Sequence, residues 1–599
     1  MIPHEKSPRK VQCSSPLQDA AGVKRELEAC FEAALGRLGW PAPSSSLIER
    51  PREAGHGEYS SHVALRLAKS LRQSPLAIAQ TIVSNLELGS HIERIAIEPP
   101  GFINLHVSQE ALLQELSRML DETRPYGHSP PGVTRVLIEF VSANPNGPLH
   151  IGHGRGAAFG DALARVLEAT GTRVEREYYV NDAGRQMDIL ALSVWIRYRE
   201  ILSQATLPFP SAGYQGDYIR DLAARLAEAE GPRFLRDDDR VPEPPDIPGG
   251  DDPDRHIDAR IALMKTTLGA GDYSAVLDFA RGEMLEIIRQ DLLQFGVRYD
   301  RFYSERSLYS GGQVDELIRL LEERHETYHQ DGALWFRASA HGDEKDRVLM
   351  RSNGAYTYFA PDLAYHLDKV RRGYDRLINV LGSDHHGYAP RIRAGLEALG
   401  EDPGRLEVLL VQFAVLYRGG QRVQMSTRSG SFVTLRELVD EVGRDAARFF
   451  YVMRSEAQHL DFDLDLAKSQ SQDNPVYYVQ YAHARIASLF RECADRGVNP
   501  DLLDRQAWER LDQPLERTLL TTLIRYPEIL EQAASGSAPH LVAQYLRETA
   551  QAFHAYYHAV PLLIEEQSLR NARLSLCAAT RLVLADGLSL LGVSAPLKM

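Results

Sequence analysis

One segment in the first third of the chain switches twice between the residue spacing of a strand and that of a helix. The run RVLIEFV (135–141) is apolar and β-branched, as in a buried strand. A breaker cluster, SANPNGP (142–148), ends in a proline where the first helical turn is expected, and the helical pattern of 149–170 stops at Gly171. RVEREYYV (173–180) then predicts a second strand. This order predicts half of a nucleotide-binding α/β fold, in which anions bind at the helix start.

Two histidines lie at the start of this predicted helix. His150 and His153 are three residues apart, so they share one helix face near the positive end of the helix dipole. Gly152 between them leaves room for a flat ring such as adenine to pack against the backbone. The alternative is a pair of surface histidines beside a glycine. Their position at a strand-to-helix switch favours a nucleotide site.

Changes in the helix and strand patterns along the 599 residues predict four regions. We expect a disordered extension at 1–20, an α+β unit at 21–130, and an α/β domain at 131–460. A stretch at about 190–330 has its own helices and is too long for a loop, so it predicts an inserted subdomain. Residues 461–599 have amphipathic helices and few strand signals, which predicts an all-α domain. An acidic, Pro- and Gly-rich stretch inside the insertion, 235–255, is expected to be a surface loop.

Composition limits the classes of partner and compartment. The 68 Lys and Arg residues against 82 Asp and Glu give a net charge of −14, which opposes non-specific binding of polyanions. A nucleic acid would therefore have to meet a local basic or aromatic surface. No run approaches the ~18 apolar residues of a membrane helix, and the amino terminus lacks a secretory apolar segment. The four cysteines lie far apart without a CxxC pair, which predicts a cytoplasmic protein without a structural metal or a disulfide framework.

Several sequence motifs together resemble one enzyme family. HIGH on this strand–helix unit looks like the ATP signature of class I aminoacyl-tRNA synthetases. The longer string SANPNGPLHIGHGRGAAFGD, followed by YYVNDAGRQ, resembles arginyl-tRNA synthetases specifically. Further stretches agree in order along the chain: HGEYSSHVAL, PPGFINLHV, SERSLY, DRVLMRSNGAYTYFAPDLAYHLDK, GSDHHGYAPRIRAGLEALG, MSTRSGSFVTLRELVDEVGRDAARFFYVMRS, NPVYYVQYAHARI and LLGVSAPLKM.

This resemblance implies a fold, a reaction and partners. The expected fold class is α/β, with a Rossmann-like parallel-sheet catalytic domain, an inserted connective subdomain, an N-terminal tRNA-binding domain and a C-terminal helical anticodon-binding domain. The implied reaction activates L-arginine with ATP, as its Mg²⁺ complex, to arginyl-adenylate and pyrophosphate. Arginine is then transferred to the 3′-terminal adenosine of tRNA-Arg. We expect a monomer that needs bound tRNA for efficient arginine activation and does not bind membranes.

An arginine pocket requires carboxylates, because guanidinium is a planar, permanently charged group that carboxylates bind bidentately. Glu139 lies at the end of the first strand, and Tyr358 and Asp362 lie four residues apart at a predicted helix start. Residue pattern alone favours the alternative, in which Glu139 forms a strand-end salt bridge and Tyr358 a core contact. The predicted arginine site, with the positions that the resemblance implies, comprises Glu139, Ser142, Asn144, Tyr358, Asp362 and His385.

The predicted ATP site joins the two histidines to a second strand end. LINVLG is followed by Asp384 and two histidines, and Asp384 could bind ribose hydroxyls or the substrate amino group. A metal site in this DHHG stretch is the weaker alternative, since no third ligand is evident. The predicted ATP-binding residues are His150, Gly152, His153, Asp384, His386, Gly387, Met425 and Ser426.

The chain departs from the family at the mobile loop that usually carries KMSKS. After a predicted hairpin, RGGQR, the matching stretch is QMSTR (424–428), without either lysine. Gly147 occupies the position where some arginyl enzymes place a compensating lysine. Charge on the triphosphate still demands cations, and the candidates are Arg428, Arg422, Arg155 and Mg²⁺. We favour Arg428, which joins His150 and His153 as a predicted catalytic residue.

The predicted RNA surface lies in the helical C-terminal domain. Tyr478, Tyr481 and Arg485 recur on one helix face, which predicts a stacking platform for unpaired bases. A tyrosine-rich core stripe is the alternative that spacing alone favours, whereas matching positions in arginyl enzymes contact the anticodon. The resemblance also places Phe553, Tyr556, Tyr557 and Met599 nearby.

Two other functions remain open from the sequence. The missing loop lysines are compatible with a catalytically weak, tRNA-binding regulator. A small-molecule nucleotidylyltransferase also shares HxGH but needs no anticodon-binding domain.

Overall fold

The computed structural model describes residues 22–43, 46–51, 54–121, 123–204, 206–236, 252–385, 387–423 and 433–599. The predicted extension at 1–20 and most of the predicted loop at 235–255 lie outside the described residues.

The N-terminal region is a small α+β unit. Its antiparallel sheet has the strand order β1 (Tyr59–Ser61), β3 (Phe102–Val107), β2 (Ile92–Glu98). Its helices are α1 (Val23–Leu38), α2 (Val63–Leu71), α3 (Pro75–Ser84) and α4 (Gln109–Leu120). Ser74 and Ser108 begin α3 and α4 by accepting hydrogen bonds from backbone N–H groups at the helix start.

A five-stranded parallel sheet forms the centre of the molecule and confirms the predicted α/β fold. Its strand order is β11 (Leu406–Val411), β10 (Arg376–Gly382), β4 (Arg135–Phe140), β5 (Arg173–Val180), β6 (Arg301–Ser304). Helix α5 (Ile151–Ala169) connects β4 to β5, as the sequence pattern predicts. The helix begins at Ile151, three residues after Pro148, so His150 is its N-cap.

The single insertion predicted at about 190–330 is divided by a sheet strand. A helical excursion contains α6 (Arg185–Ser203), α7 (Asp217–Glu230) and α8 (Pro253–Gln294), and β6 then returns to the sheet. The second excursion contains α9 (Glu305–Ser310), α10 (Gln313–Glu323) and the antiparallel strands β7 (Thr327–Gln330), β8 (Ala333–Phe336) and β9 (Arg347–Met350). The sequence analysis missed β6 because its four residues, RFYS, include no apolar run.

Two helices flank the strand that completes this half of the sheet. Helix α11 (Phe359–Arg371) precedes β10, and α12 (Tyr388–Ala398) follows it. Both strand ends that the sequence analysis selected, after β4 and after β10, therefore open on the same edge of the sheet because the two strands are parallel neighbours.

A small three-stranded sheet connects the central domain to the C-terminal helices. The predicted hairpin forms from β12 (Ala414–Arg418) and β13 (Gln421–Arg422), and Gly419 and Gly420 at its turn have φ of 57° and 73°. The other neighbour of β12 is β14 (Leu460–Asp463), which pairs with it in parallel. Between them lie α13 (Leu435–Val442) and α14 (Arg444–Val452), and α15 (Leu464–Lys468) follows.

The C-terminal region is helical, as predicted. It contains α16 (Pro475–Asp495), α17 (Arg505–Trp508), α18 (Pro514–Leu523), α19 (Tyr526–Ser535), α20 (His540–Ala559) and α21 (Gln567–Leu590). The boundary predicted at residue 461 falls inside β14. No helix among the described residues is long and apolar enough to cross a membrane.

The N-terminal unit docks against these C-terminal helices. Arg50 binds Glu528 of α19 through two hydrogen bonds, of 2.7 and 3.2 Å, and the buried hydroxyl of Tyr59 donates to the same carboxylate at 2.7 Å. Arg517 of α18 similarly contacts Glu58 at 2.9 Å. These partly buried ion pairs join the two ends of the chain.

Candidate active site

A cavity of about 620 Å³ opens at the carboxyl ends of β4 and β10. It brings together residues predicted from separate parts of the sequence. Those that line it are Glu139, Ser142, Asn144, His150, Gly152, His153, Tyr358, Asp362, Asp384 and His385.

The turn after β4 is strained and closely held. Val141 and Ser142 have φ of 68° and 43°, a left-handed conformation that costs about 1–3 kcal/mol for each non-glycine residue. The Ser142 hydroxyl donates to Glu139 at 3.0 Å and accepts from the backbone N–H of Tyr179 at 3.1 Å. The hydroxyl of Tyr178 donates to the carbonyl oxygen of Ala143 at 2.8 Å. Hydrogen bonds on both sides therefore maintain the bend that leads to His150.

The two histidines stack on each other at the start of α5, with ring centres 3.7 Å apart. Nδ1 of His150 accepts from the backbone N–H of Gly152 at 3.1 Å, and Nδ1 of His153 accepts from that of His150 at 3.2 Å. Each neutral ring therefore carries its proton on Nε2. Burial lowers the pKa of His150, and burial with a smaller effect of the His150 ring lowers the pKa of His153 to about 3. Both rings are neutral hydrogen-bond donors at physiological pH.

Gly152 has a different structural role from the one its sequence position suggests. A Cβ atom at this position would lie 2.9 Å from Cε1 of His150 and 3.0 Å from its Nδ1. Because real Cβ atoms do not approach other heavy atoms so closely, a side chain here would displace the ring. The absence of a side chain at Gly152 thus makes room for the His150 ring. This requirement for glycine adds to the one expected from the sequence, which was space for a ligand.

Two carboxylates in the cavity have raised pKa values, although the charges of Arg391 and Lys369 lower that of Asp362. Burial, followed by the charges of Glu305 and Glu139, raises the pKa of Asp362 to about 8. Burial, followed by the charge of Asp182, raises the pKa of Glu305 to about 7. Within the described part of the chain, neither Asp362 nor Glu305 forms a salt bridge. A cationic ligand between them would relieve this repulsion and favour the ionised state of both.

Tyr358 lies at the rim of the cavity rather than in the core. Its side chain is 74% exposed, and it is the N-cap of α11. This position rules out the core contact that the sequence left open. Asp362 is in the first turn of the same helix, so the two side chains border the cavity from one element.

Glu139 is buried and already paired. Its Oε2 lies 2.5 Å from Nζ of Lys369, which is fully buried, and its Oε1 accepts from Ser142. The salt bridge that the sequence left as an alternative thus exists, but inside the protein and facing the cavity. Glu139 therefore contributes less free negative charge to the site than Asp362 and Glu305.

The second strand end supplies exposed polar groups. Asp384 and His385 lie in a helical turn after β10, with 3.8 Å between Oδ1 and Nε2, and Gly387 is the N-cap of α12. His386 lies outside the described residues, as do Met425, Ser426 and Arg428. No group of three His, Cys, Asp or Glu side chains among the residues that the structure describes is arranged to bind a metal ion.

Arg155 is not available as a cation for a phosphate. It is 1% exposed, and its two terminal nitrogens donate to the carbonyl oxygens of Gln412 and Ser455 at 2.7 and 2.8 Å. The expectation that it could neutralise pyrophosphate is wrong, because these contacts fix its guanidinium in the interior. Arg422 lies on the exposed strand β13 and keeps that option.

The tyrosines predicted to bind RNA form a partly buried aromatic cluster. Tyr478 and Tyr481 of α16 lie against His554 of α20, with ring centres 4.8 and 5.7 Å apart. Arg485 lies 4.1 Å from the ring centre of Tyr557 and 5.7 Å from that of Tyr481. The cluster therefore combines features of the predicted platform and of the alternative core stripe.

Phe553 is a correction to the predicted RNA surface. Its side chain is fully buried, and so is that of Tyr556, because both face the helices packed against α20. Neither ring offers a surface to a base. Met599 is 51% exposed at the chain end, and the carbonyl oxygens of Pro596 and Leu597 before it accept from His483 and Arg491 of α16.

Comparisons with known proteins match the whole organisation. The family model described as tRNA synthetases class I (R), catalytic domain, matches residues 115–460, more than half of the chain. The chain belongs to the arginyl-tRNA synthetase family. An arginyl tRNA synthetase N terminal domain matches 25–107, and a DALR anticodon binding domain matches 479–599.

Relatives in this arginyl-tRNA synthetase family cover nearly the whole chain. The arginine–tRNA ligase of Thioalkalivibrio sulfidiphilus is 52% identical over 587 residues, 96% of this chain and all of the relative. That of Halorhodospira halophila is 56% identical over 558 residues, 92% of this chain and 94% of the relative. The structure of Thermus thermophilus arginyl-tRNA synthetase has a TM-score of 0.75 at 25% identity, covering 96% of this chain and all of that one.

Two residues that line or support this cavity were missed from the sequence. Glu305 follows directly after β6 at its carboxyl end, the position that marks ligand residues in parallel sheets, but β6 itself was not recognised. Lys369 looked like an ordinary basic residue near a helix end. Its burial depends on long-range packing, for which the sequence carries no local signal.

Proposed function

We propose that this protein is an arginine–tRNA ligase. The observation that carries the proposal is the pair Asp362 and Glu305, two carboxylates that form no salt bridge among the described residues, in the cavity that also contains the stacked histidines. A slot with two carboxylates fits one guanidinium group, because its planar fork donates to both. Family membership and relatives named arginine–tRNA ligase support the same reaction.

In the proposed complex, the guanidinium group of arginine lies between Asp362 and Glu305. Tyr358 covers it from the rim. The remainder of the amino acid extends toward the turn after β4, where Glu139, Ser142, Asn144 and His385 orient its backbone groups. Asn144 is held for this role by its amide, which donates to Gln186 at 2.7 Å.

ATP enters the same cavity beside the histidines. An oxygen of the arginine carboxylate bonds to the α-phosphorus while the bond from that phosphorus to the bridging oxygen breaks, which releases pyrophosphate. The Nε2–H groups of His150 and His153 donate to the phosphate oxygens as charge develops on them. Mg²⁺ arrives as the ATP complex, and Arg428 neutralises the departing pyrophosphate.

The remaining proposed ATP contacts come from the start of α5, from the second strand end and from the sequence after Val423, part of which lies outside the described residues. They comprise Gly152, Asp384, His386, Gly387, Met425 and Ser426. Because the reaction forms no bond to a protein side chain, positioning of the two substrates supplies much of the rate.

In the second step, a hydroxyl of the 3′-terminal adenosine of tRNA-Arg attacks the carbonyl carbon of arginyl-adenylate and AMP leaves. The aromatic cluster of Tyr478, Tyr481, Arg485 and Tyr557, with Met599 nearby, is proposed to bind the anticodon loop. The proposed domains are 21–130 for tRNA binding, 131–460 for catalysis and 461–599 for the anticodon. We also propose that the protein is a monomer and acts in the cytoplasm.

The decisive experiment is arginine-dependent exchange between pyrophosphate and ATP, with and without tRNA-Arg, followed by aminoacylation of tRNA-Arg. We expect both activities, with exchange strongly stimulated by tRNA. Binding of tRNA-Arg without turnover would instead identify a regulator. Exchange that persists after deletion of 461–599 and needs no tRNA would identify a nucleotidylyltransferase.

A further inference from the structure

A row of buried polar residues crosses the central sheet beneath α11. Asn379 of β10, Glu139 of β4 and Glu177 of β5 are paired in register on three neighbouring strands. Helix α11 and its C-cap place two cations over this row. Lys369 binds Glu139, and Arg372 binds Glu177 through hydrogen bonds of 2.6 and 2.9 Å. Each carboxylate of the row thus has a cation, and Arg301 lies 3.7 Å from Glu177 as a second one.

Donors and acceptors are matched along the hydrogen-bond network around Lys369. Its ammonium donates to Glu139 at 2.5 Å and to Oδ1 of Asn379 at 3.0 Å. Nδ2 of Asn379 then donates to Nε2 of His366, whose Nδ1–H donates to the carbonyl oxygen of Asp362, both at 2.8 Å. The network thus extends from one carboxylate residue of the cavity to the backbone of another.

The packing around the ammonium excludes water. Lys369, His366 and Asn379 are each 0% exposed, and the Tyr365 ring lies 4.1 Å from the ammonium. A buried cation is retained at such a position only with close, specific partners, since removal from water is costly. Lys369 itself is absent from the cavity wall, so it acts on a ligand only through its partners.

We infer that Lys369 is a positioning residue for the arginine site. Its ammonium holds Oε2 of Glu139, which directs Oε1 to Ser142 and so maintains the strained turn that carries Asn144. It also matches the charge of Glu139, so that this carboxylate adds less free negative charge to the pocket than Asp362 and Glu305. This inference rests on the proposed function, and it identifies Lys369 as the residue that maintains the geometry of the proposed arginine site.

The test is a double-variant cycle measured by arginine-dependent pyrophosphate exchange with tRNA-Arg present. Lys369→Met keeps an unbranched side chain of similar length without the charge. We expect it to raise the arginine KM by about tenfold or more, and to leave the ATP KM within about twofold. Glu139→Gln alone also raises the arginine KM. In that background Lys369→Met should change the arginine KM by less than about twofold, because the residue it acts through is already altered.

Arg372→Met is the matched control. It removes a cation from the same row, but its partner Glu177 is one strand farther from the cavity, so it should lower stability without raising the arginine KM. If Lys369→Met does not fold, Glu139→Gln can still be compared with the double variant. The double variant leaves no buried charge without a partner, because it has lost both charges of the pair.

Two outcomes would overturn the inference. One is an unchanged arginine KM in folded Lys369→Met, and the other is a further tenfold loss on adding this change to Glu139→Gln. An inactive wild-type protein would instead refute the proposed function, before any variant is compared.

Discussion

At the scale of single residues, the cavity is defined by which charges have partners. Glu139 is matched by Lys369, whereas Asp362 and Glu305 repel each other and form no salt bridge among the described residues. The histidines, in contrast, are held neutral and oriented by backbone N–H groups. In the proposed complex, the amino acid is therefore recognised by charge and the nucleotide by neutral donors.

The first prediction concerns pH. The pKa values of about 8 for Asp362 and about 7 for Glu305 mean that both carboxyls gain protons as pH falls toward 6. Because a guanidinium requires ionised partners, the arginine KM should fall as pH rises from 6 to 8.5, by up to about tenfold per pH unit for each protonated carboxyl. Steady-state exchange assays measure this directly, and the ATP KM should lack this dependence.

Glu305→Gln is the control for that prediction. It should raise the arginine KM at pH 8 and make the KM depend less steeply on pH, since only Asp362 still titrates. An arginine KM that is constant from pH 6 to 8.5 in the wild type would contradict the assignment.

The second prediction concerns Gly152. In Gly152→Ala the new methyl group displaces the His150 ring, so the kcat of exchange should fall about tenfold or more while the arginine KM is unchanged. In a His150→Ala background the same change should have little further effect, because the ring is gone. Additive losses in the double variant would show that Gly152 acts independently of His150.

At the scale of elements, local sequence patterns predicted the helices and strands that follow each other within one continuous segment. The unit β4–α5–β5 was recognised because a strand, a turn and a capped helix follow each other within about 45 residues. Glu305 was missed because it depends on β6, a four-residue strand whose place in the sheet is set by pairing with β5. Lys369 was missed because only packing of α11 on three strands reveals that it is buried.

The aromatic cluster on α16 and α20 gives the third prediction. Arg485→Ala removes the guanidinium that lies over Tyr557, and should weaken the binding of tRNA-Arg by about 1–2 kcal/mol, as expected for the loss of one stacking contact. Filter binding at fixed salt measures this effect. Arg491→Ala is the matched control, since Arg491 lies on the same helix but contacts Ser488 and the carbonyl oxygen of Leu597. Equal losses in both variants would indicate only a general effect of charge.

At the scale of the whole molecule, the two ends of the chain support each other around the central sheet. The N-terminal unit meets α18 and α19 through Arg50, Tyr59 and Glu58, each bonded to a partner more than 450 residues away. This contact fixes the position of the N-terminal unit relative to the helices proposed to bind the anticodon. It was not predictable from sequence, because nothing local pairs these residues.

The fourth prediction tests this contact. Glu528→Ala leaves Arg50 and the buried Tyr59 hydroxyl without their acceptor, and should lower the free energy of unfolding by about 2–4 kcal/mol. Glu531 on the same helix forms an exposed pair with Arg25, so Glu531→Ala should cost at most about 1 kcal/mol. Denaturant unfolding separates the two. Equal, small effects would show that the buried pair adds little to docking.

If Asp362 and Glu305 bind the guanidinium group as proposed, their mutual repulsion also determines which analogues of arginine the pocket excludes. Citrulline has nearly the outline of arginine but ends in an uncharged urea, so it cannot compensate the repulsion between Asp362 and Glu305. It can be accommodated only when a carboxyl carries a proton, a state that becomes rarer as the solution turns alkaline. We therefore expect discrimination against citrulline, measured as the ratio of the two amino acids' kcat/KM values, to increase with rising pH.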